Sequence, residues 1–300
     1  MRAEAHLYRG EEAEAETLSH KALYLARGAG QISLCLCAEL VLARLAILRG
    51  DGAALGAVRE NIARCGNESP ERGIARMAEL CLAVLDLSLG RTEEIPDWLR
   101  QAESIRKVLY VQGHPYGLML FARLLFLEKR YPELYGMAEP VMESAAGMKY
   151  ELSRLWMLLH LAAAKKDEGQ DAPALEYLGQ ALRAALPDRM FLPFAGFGTS
   201  LVPLLQAAKN DFAGDAIEKV IALCRRGGAG ISSVLTRLDP KISLLTPRER
   251  EIALLARDRL TAAEIGSRLF ISENTVKSAL KLIYSKLDVH SRSELAKKDF

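Results

Sequence analysis

Five side chains near the carboxyl end share one chemistry. In the segment Ser272 to Lys286 and the residue after it, the apolar residues Val276, Leu280, Ile283 and Leu287 stand four, three and four apart, the stripe of a helix that faces a core. The opposite arc carries Asn274, Lys277, Ser278, Lys281 and Ser285, which are hydrogen-bonding groups and two long cations with no acid among them. A face of this kind suits the major groove of double-stranded DNA, where phosphates attract charge and base edges offer donors and acceptors. An ordinary solvated helix surface would have the same composition, so the arc alone leaves both readings open.

The elements that must position this arc announce their own starts. Thr246/Glu249, Thr261/Glu264 and Ser291/Glu294 each place a hydroxyl three residues before a carboxylate. In that pattern the hydroxyl accepts from the third helical N–H and the Glu reaches back to the N–H of the cap residue. Pro247 suits a first helical position, and Ser272 opens the longest helix without a Glu partner. Four short helices, the last from Ser291 to about Lys298, fit a helix-turn-helix domain.

The same residues resemble the LuxR-type helix-turn-helix of bacterial transcription regulators. Leu245-Thr246-Pro247-Arg248-Glu249 match its first helix, and Glu264-Ile265 with Leu269 match its second. Ile271-Ser272 match the turn, Thr275-Val276-Lys277 the start of the recognition helix, and Ile283, Lys286-Leu287 and Val289 its end, with Arg292 before the last helix. Four positions depart: Ala279 for a frequent His, Asp288 for a Gly, Arg259 for a capping Gly and Ala263 for a polar residue. The resemblance implies that Lys277, Ser278 and Lys281 reach base edges while Ser272, Asn274 and Thr275 hold phosphate. A helix N-terminus favours phosphate on its own account. The resemblance also implies a homodimer on paired half-sites about one helical turn apart.

Charge agrees in sign. From residue 246 onward the chain holds 11 Lys/Arg against 8 Asp/Glu, whereas the remainder holds 29 against 30. Such a mild excess predicts modest, salt-sensitive non-specific affinity. Cys35, Cys37, Cys65, Cys81 and Cys224 show no paired spacing and read as free thiols of a reducing cytoplasm. The amino terminus has no apolar run, and Ile32–Leu48 is interrupted by Glu39 and Arg44, so neither a signal peptide nor a membrane partner is expected.

The first 225 residues read as helix throughout, with turns that recur. Turns end at Gly10, Gly50 and Gly90, and others cover 128–132 and 167–169, a period of about 40 residues. Self-similarity at that period predicts an all-α solenoid of helix pairs with a concave face for a peptide or protein partner. The units resemble tetratricopeptide-like repeats. Tyr110, Tyr116, Phe121 and Phe126 are candidates to line it. The array is similar to the helical region of the MalT-like branch of LuxR-type regulators, a resemblance that implies a small-molecule inducer. Leu186-Pro187-Asp188-Arg189 through Leu201-Val202-Pro203-Leu204-Leu205 resemble its end.

Only nine residues precede Gly10, so the first repeat is expected to lack half of its leading helix. Its apolar side would be bare, as in the carboxyl-terminal piece of a longer regulator whose nucleotide-binding switch precedes it. Residues 226–244, with Gly227-Gly228-Ala229-Gly230 as hinge and Asp239-Pro240 as breaker, read as a linker to the 245–300 domain. No P-loop, H-E-x-x-H or G-x-S-x-G occurs, and the His residues are scattered singly. No enzyme, cofactor or metal is therefore expected. The expectation is a cytoplasmic, nucleoid-associated regulator. The alternative is a helical-repeat interaction scaffold whose helix-turn-helix no longer binds DNA.

Overall fold

The computed structural model describes residues 2–147, 150–212, 214–238, 245, 247–269, 271–287 and 289–296. Among them every regular element is helical. The chain begins with α1 (Arg2–Tyr8), α2 (Glu12–Gly28), α3 (Ile32–Arg49), α4 (Gly52–Glu68) and α5 (Arg72–Ser88). It continues with α6 (Ala102–Val108), α7 (His114–Leu127), α8 (Tyr131–Gly147), α9 (Glu151–Asp167) and α10 (Asp171–Ala185). Next come α11 (Leu192–Ala195), α12 (Val202–Ala207) and α13 (Gly214–Leu238). The tail holds α14 (Pro247–Arg257), α15 (Ala262–Leu269), α16 (Glu273–Leu287) and α17 (Arg292–Leu295). Two compact units result, residues 1–231 and 232–300. Among the described residues no helix is long and apolar enough to cross a membrane.

In the first unit each long helix packs on the next, and α1, α3, α5, α7 and α9 also pack on one another in order. The residue types explain this division. α3 and α7 are apolar nearly all round and bury ten and nine residues, as inner helices must. α2, α4 and α10 carry a narrower apolar stripe and lie outside.

The turns share one hydrogen-bond pattern. Gly10, Gly50, Gly90, Lys129 and Gly169 take φ between +57° and +76°. The residue after each donates to the carbonyl five positions back, as from Asp51 N to Ala46 O at 2.9 Å and from Arg130 N to Leu125 O at 2.9 Å. This is the Schellman closure, which needs a left-handed residue and favours glycine. Lys129 makes the same turn with a side chain that rarely adopts this conformation.

Two expectations change here. The side of α1 expected to be bare is covered: Leu7 and Tyr8 are buried against Leu192 and Ala195, and Phe191 N donates to Tyr8 O at 2.9 Å. α13 runs unbroken through residues 226–238, so that part of the expected linker is helical, while 239–244, with Asp239-Pro240, lie outside the described residues. The glycines taken for a hinge serve close approach instead. A Cβ on Gly227 would stand 2.7 Å from Ala195 O, and one on Gly230 would stand 2.2 Å from Ile47 O.

Candidate nucleic-acid interface

The tail folds around one small core. Ile252, Ala253 and Ala256 of α14, Ile265 of α15, Val276, Ile283 and Leu287 of α16, and Leu295 of α17 are buried together. The sequence stripe is thus reproduced at Val276, Ile283 and Leu287, whereas Leu280 is only half-buried at the rim.

The helix starts are built as their residue types require. Thr261 N donates to Glu264 Oε2 at 2.6 Å and Glu264 N donates to Thr261 Oγ1 at 3.2 Å, a complete reciprocal cap. The Thr261 backbone N–H and then its hydroxyl hold the Glu264 carboxyl below its ordinary range. Thr275 N donates to Ser272 Oγ at 3.1 Å, which makes Ser272 the cap of α16. At Ser291 the cap accepts from Glu294 N, but the Glu294 carboxylate takes the N–H of His290 at 2.8 Å rather than that of Ser291. Thr246 lies outside the described residues, as do Asp288 and residues 297–300.

Polar ties join the helices of the tail. Lys286 Nζ reaches both oxygens of Glu249 on α14, at 2.7 and 2.8 Å. Arg248 donates to Leu269 O at 2.7 Å, and Arg292 Nε donates to Ala256 O at 3.0 Å. Gly266 lets the turn close, since a Cβ there would meet Ile271 O at 2.7 Å. Arg259, where a glycine was noted as missing, takes φ +64° and still closes α14 through Leu260 N to Leu255 O at 3.2 Å. The ties made by Lys286, Arg248 and Arg292 were not legible as pairs, because each joins residues brought together only by the helix crossing.

Of the residues singled out from the sequence, Ser272, Asn274, Thr275, Lys277, Ser278 and Lys281 are all exposed on α16 or its cap. Asn274, Lys277, Ser278 and Lys281 lie on the side of α16 away from Val276 and Ile283, with Ser272 and Thr275 at the helix start. Ser272 Oγ and Thr275 Oγ1 are 2.8 Å apart and hydrogen-bonded. Lys281 has no ion-pair partner among the described residues. The arc is less purely cationic than its sequence suggests: Glu273, one turn before Lys277, lies 2.7 Å from its Nζ. Arg268 is exposed on α15, and Leu282 exposes an apolar side chain on α16. The spacing argument had noticed neither.

The arrangement is a short helix with a cationic, hydrogen-bonding outer face, capped by hydroxyls and keyed to two further helices. Comparison with known proteins places it. Residues 243–298 match the family described as bacterial regulatory proteins, luxR family. The chain is similar to the spore germination protein GerE of Bacillus subtilis (strain 168), with 50% identity over 52 residues, which cover 17% of this chain and 69% of that protein. No solved structure matches the chain. Through this carboxyl-terminal domain, the chain belongs to the luxR family of bacterial regulatory proteins.

Proposed function

We propose that this chain is a sequence-specific DNA-binding transcription regulator that inserts α16 into a major groove. Lys277, Ser278 and Lys281 reach base edges, and Ser272, Asn274 and Thr275 hold phosphate at the helix start. The observation that carries the reading is the two-sidedness of α16: Val276 and Ile283 are fully buried while all six candidates face outward.

The first unit is the sensor of a ligand or partner, a solenoid of helix pairs of the MalT-like kind and not an enzyme. The left-handed residues at 10, 50, 90, 129 and 169 and the ordered packing of α1 to α10 support this assignment. The regulator acts as a cytoplasmic homodimer on paired half-sites.

Selection of bound duplexes from a random pool tests the proposal. One enriched motif, relaxed at a single base position by Lys281→Ala, is the expected result. Equal weakening on all sequences would leave Lys281 a phosphate contact only. The Glu273 carboxylate beside Lys277 favours the alternative, an interaction scaffold that has lost DNA binding. That alternative predicts no enrichment at all.

A further inference from the structure

The proposed contacts to DNA leave unused a group of polar atoms inside the helical unit. Arg123 Nη1 of α7 and Trp156 Nε1 and His160 Nε2 of α9 are buried with no hydrogen-bond partner among the described residues. Native interiors rarely leave such groups unpaired. All three residues line one cavity of about 40 Å³. It adjoins a second of about 60 Å³, with Arg44, Ser88, Trp156 and Gly196 common to both walls. Of the aromatics marked from the sequence, Tyr116 lines the first cavity and Phe126 stacks beside Arg123. Phe121 is buried in the core, and Tyr110 is exposed.

Arg123 sets the charge of the missing partner. Its Nη2 donates to Gly196 O at 2.8 Å, and the guanidinium lies 4.9 Å from the Phe197 ring centre and 5.6 Å from that of Phe126. No carboxylate pairs with it among the described residues. Burial lowers its pKa only to about 10, so it is cationic at neutral pH. A buried cation without a counter-ion is costly, and an anion relieves that cost.

His160 sets the second feature. Its Nδ1 lies 2.7 Å from Trp156 O, a carbonyl that can only accept, so the ring proton sits on Nδ1 and Nε2 is an acceptor. Burial and then the Arg123 charge hold its pKa at about 3, which keeps the ring neutral. An acceptor beside two donors matches a ligand with a carboxylate and an adjacent hydroxyl. The second cavity is walled by Ile47, Leu48, Leu192 and Ala195, which suit a short apolar body.

We propose that this cavity binds a short 2-hydroxycarboxylate, its carboxylate on Arg123 Nη1 and Trp156 Nε1 and its hydroxyl donating to His160 Nε2. The site stands on this geometry alone. Its effect on DNA rests on the sensing role proposed above.

Titration of the full chain with lactate tests the site, read by calorimetry and by the melting temperature. Saturable binding that raises the melting temperature is expected, because a ligand of the folded state stabilises it. Propionate, which lacks the hydroxyl, should bind about tenfold more weakly, and so should lactate to Trp156→Phe, which keeps the ring but loses the donor. Arg123→Gln should abolish binding; if that variant does not fold, Trp156→Phe decides. No saturable response to lactate, or an equal response from Trp156→Phe, would overturn the site and leave a water-filled cavity. Equal binding of propionate would overturn the hydroxyl assignment. Lactate binding that leaves DNA affinity unchanged would overturn the coupling but not the site. Intact lactate binding in a chain that binds no DNA would overturn the regulator reading alone.

Discussion

Lys277 Nζ lies 2.7 Å from Glu273 Oε1, one helical turn away and on the face where α16 would meet a nucleic acid. Both side chains are about half exposed or more, so the pair contributes little to stability. Its effect falls on binding, because the carboxylate competes with phosphate for the ammonium.

Replacing Glu273 with Gln should therefore tighten binding to random-sequence duplex, by a few-fold at low salt. The gain should fade as salt is raised, since screening weakens both the pair and the phosphate contact. Fluorescence anisotropy over a salt series checks this. Unchanged affinity at low salt would mean that Lys277 points away from phosphate.

The tail core makes a graded prediction. Ile283 is fully buried and Leu280 half-buried, so Ile283→Asp should unfold the tail, whereas Leu280→Asp should cost clearly less. A carboxylate at 283 would be buried without a partner, at a cost of about 3 kcal/mol or more. Amide exchange along α16 in the full chain reports both variants.

The stripe shows how far the sequence could be read. Val276, Ile283 and Leu287 follow from spacing, and the Thr261, Ser272 and Ser291 caps follow from local chemistry within four residues. Periodicity fixes which side of a helix faces inward but not how deep each residue lies, so Leu280 looked equal to its neighbours. Glu273 lies inside the run from which the arc was counted, at the edge of the arc and four residues before Lys277, a spacing that pairs side chains on a helix. The glycines of α13 carried the wrong meaning for a different reason. A Gly-rich run signals a hinge when judged alone, and its close contact with Ile47 and Ala195 lies 32 to 183 residues away. Arg123 is likewise unrelated in sequence to Trp156 and His160 until α7 and α9 pack together.

Those glycines give a sharp pair of variants. Gly230→Ala would set a Cβ 2.2 Å from Ile47 O and 2.7 Å from Leu48 O, backbone atoms that cannot yield cheaply. A loss of about 1–3 kcal/mol is expected. Gly228→Ala meets nothing closer than 3.5 Å and should be neutral or gain up to about 1 kcal/mol from helix propensity. Denaturant melts of the two variants should differ in direction.

His160 predicts a pH dependence. Its folded-state pKa of about 3 lies below the ordinary value of 6.5, so below pH 6.5 the unfolded chain binds a proton that the folded chain excludes. Stability contributed by the neutral ring is present above pH 6.5 and is lost as pH falls toward 3, by up to about 1.4 kcal/mol per pH unit. His160→Gln should show a shallower decline between pH 6.5 and 5. Equal slopes in the two proteins would show that the ring is solvated.

The salt dependence of binding to random-sequence duplex tests the central claim most directly, compared between the natural chain and the Lys277→Ala/Lys281→Ala variant. The natural chain should bind at low salt with an affinity that falls linearly on a double-logarithmic plot. On random-sequence duplex no base is selected and both ammonium groups meet phosphate, so the double variant should bind more weakly, with a slope reduced by up to about 2. Binding with the same affinity and slope in both proteins would contradict the assignment of α16 as the face that meets DNA.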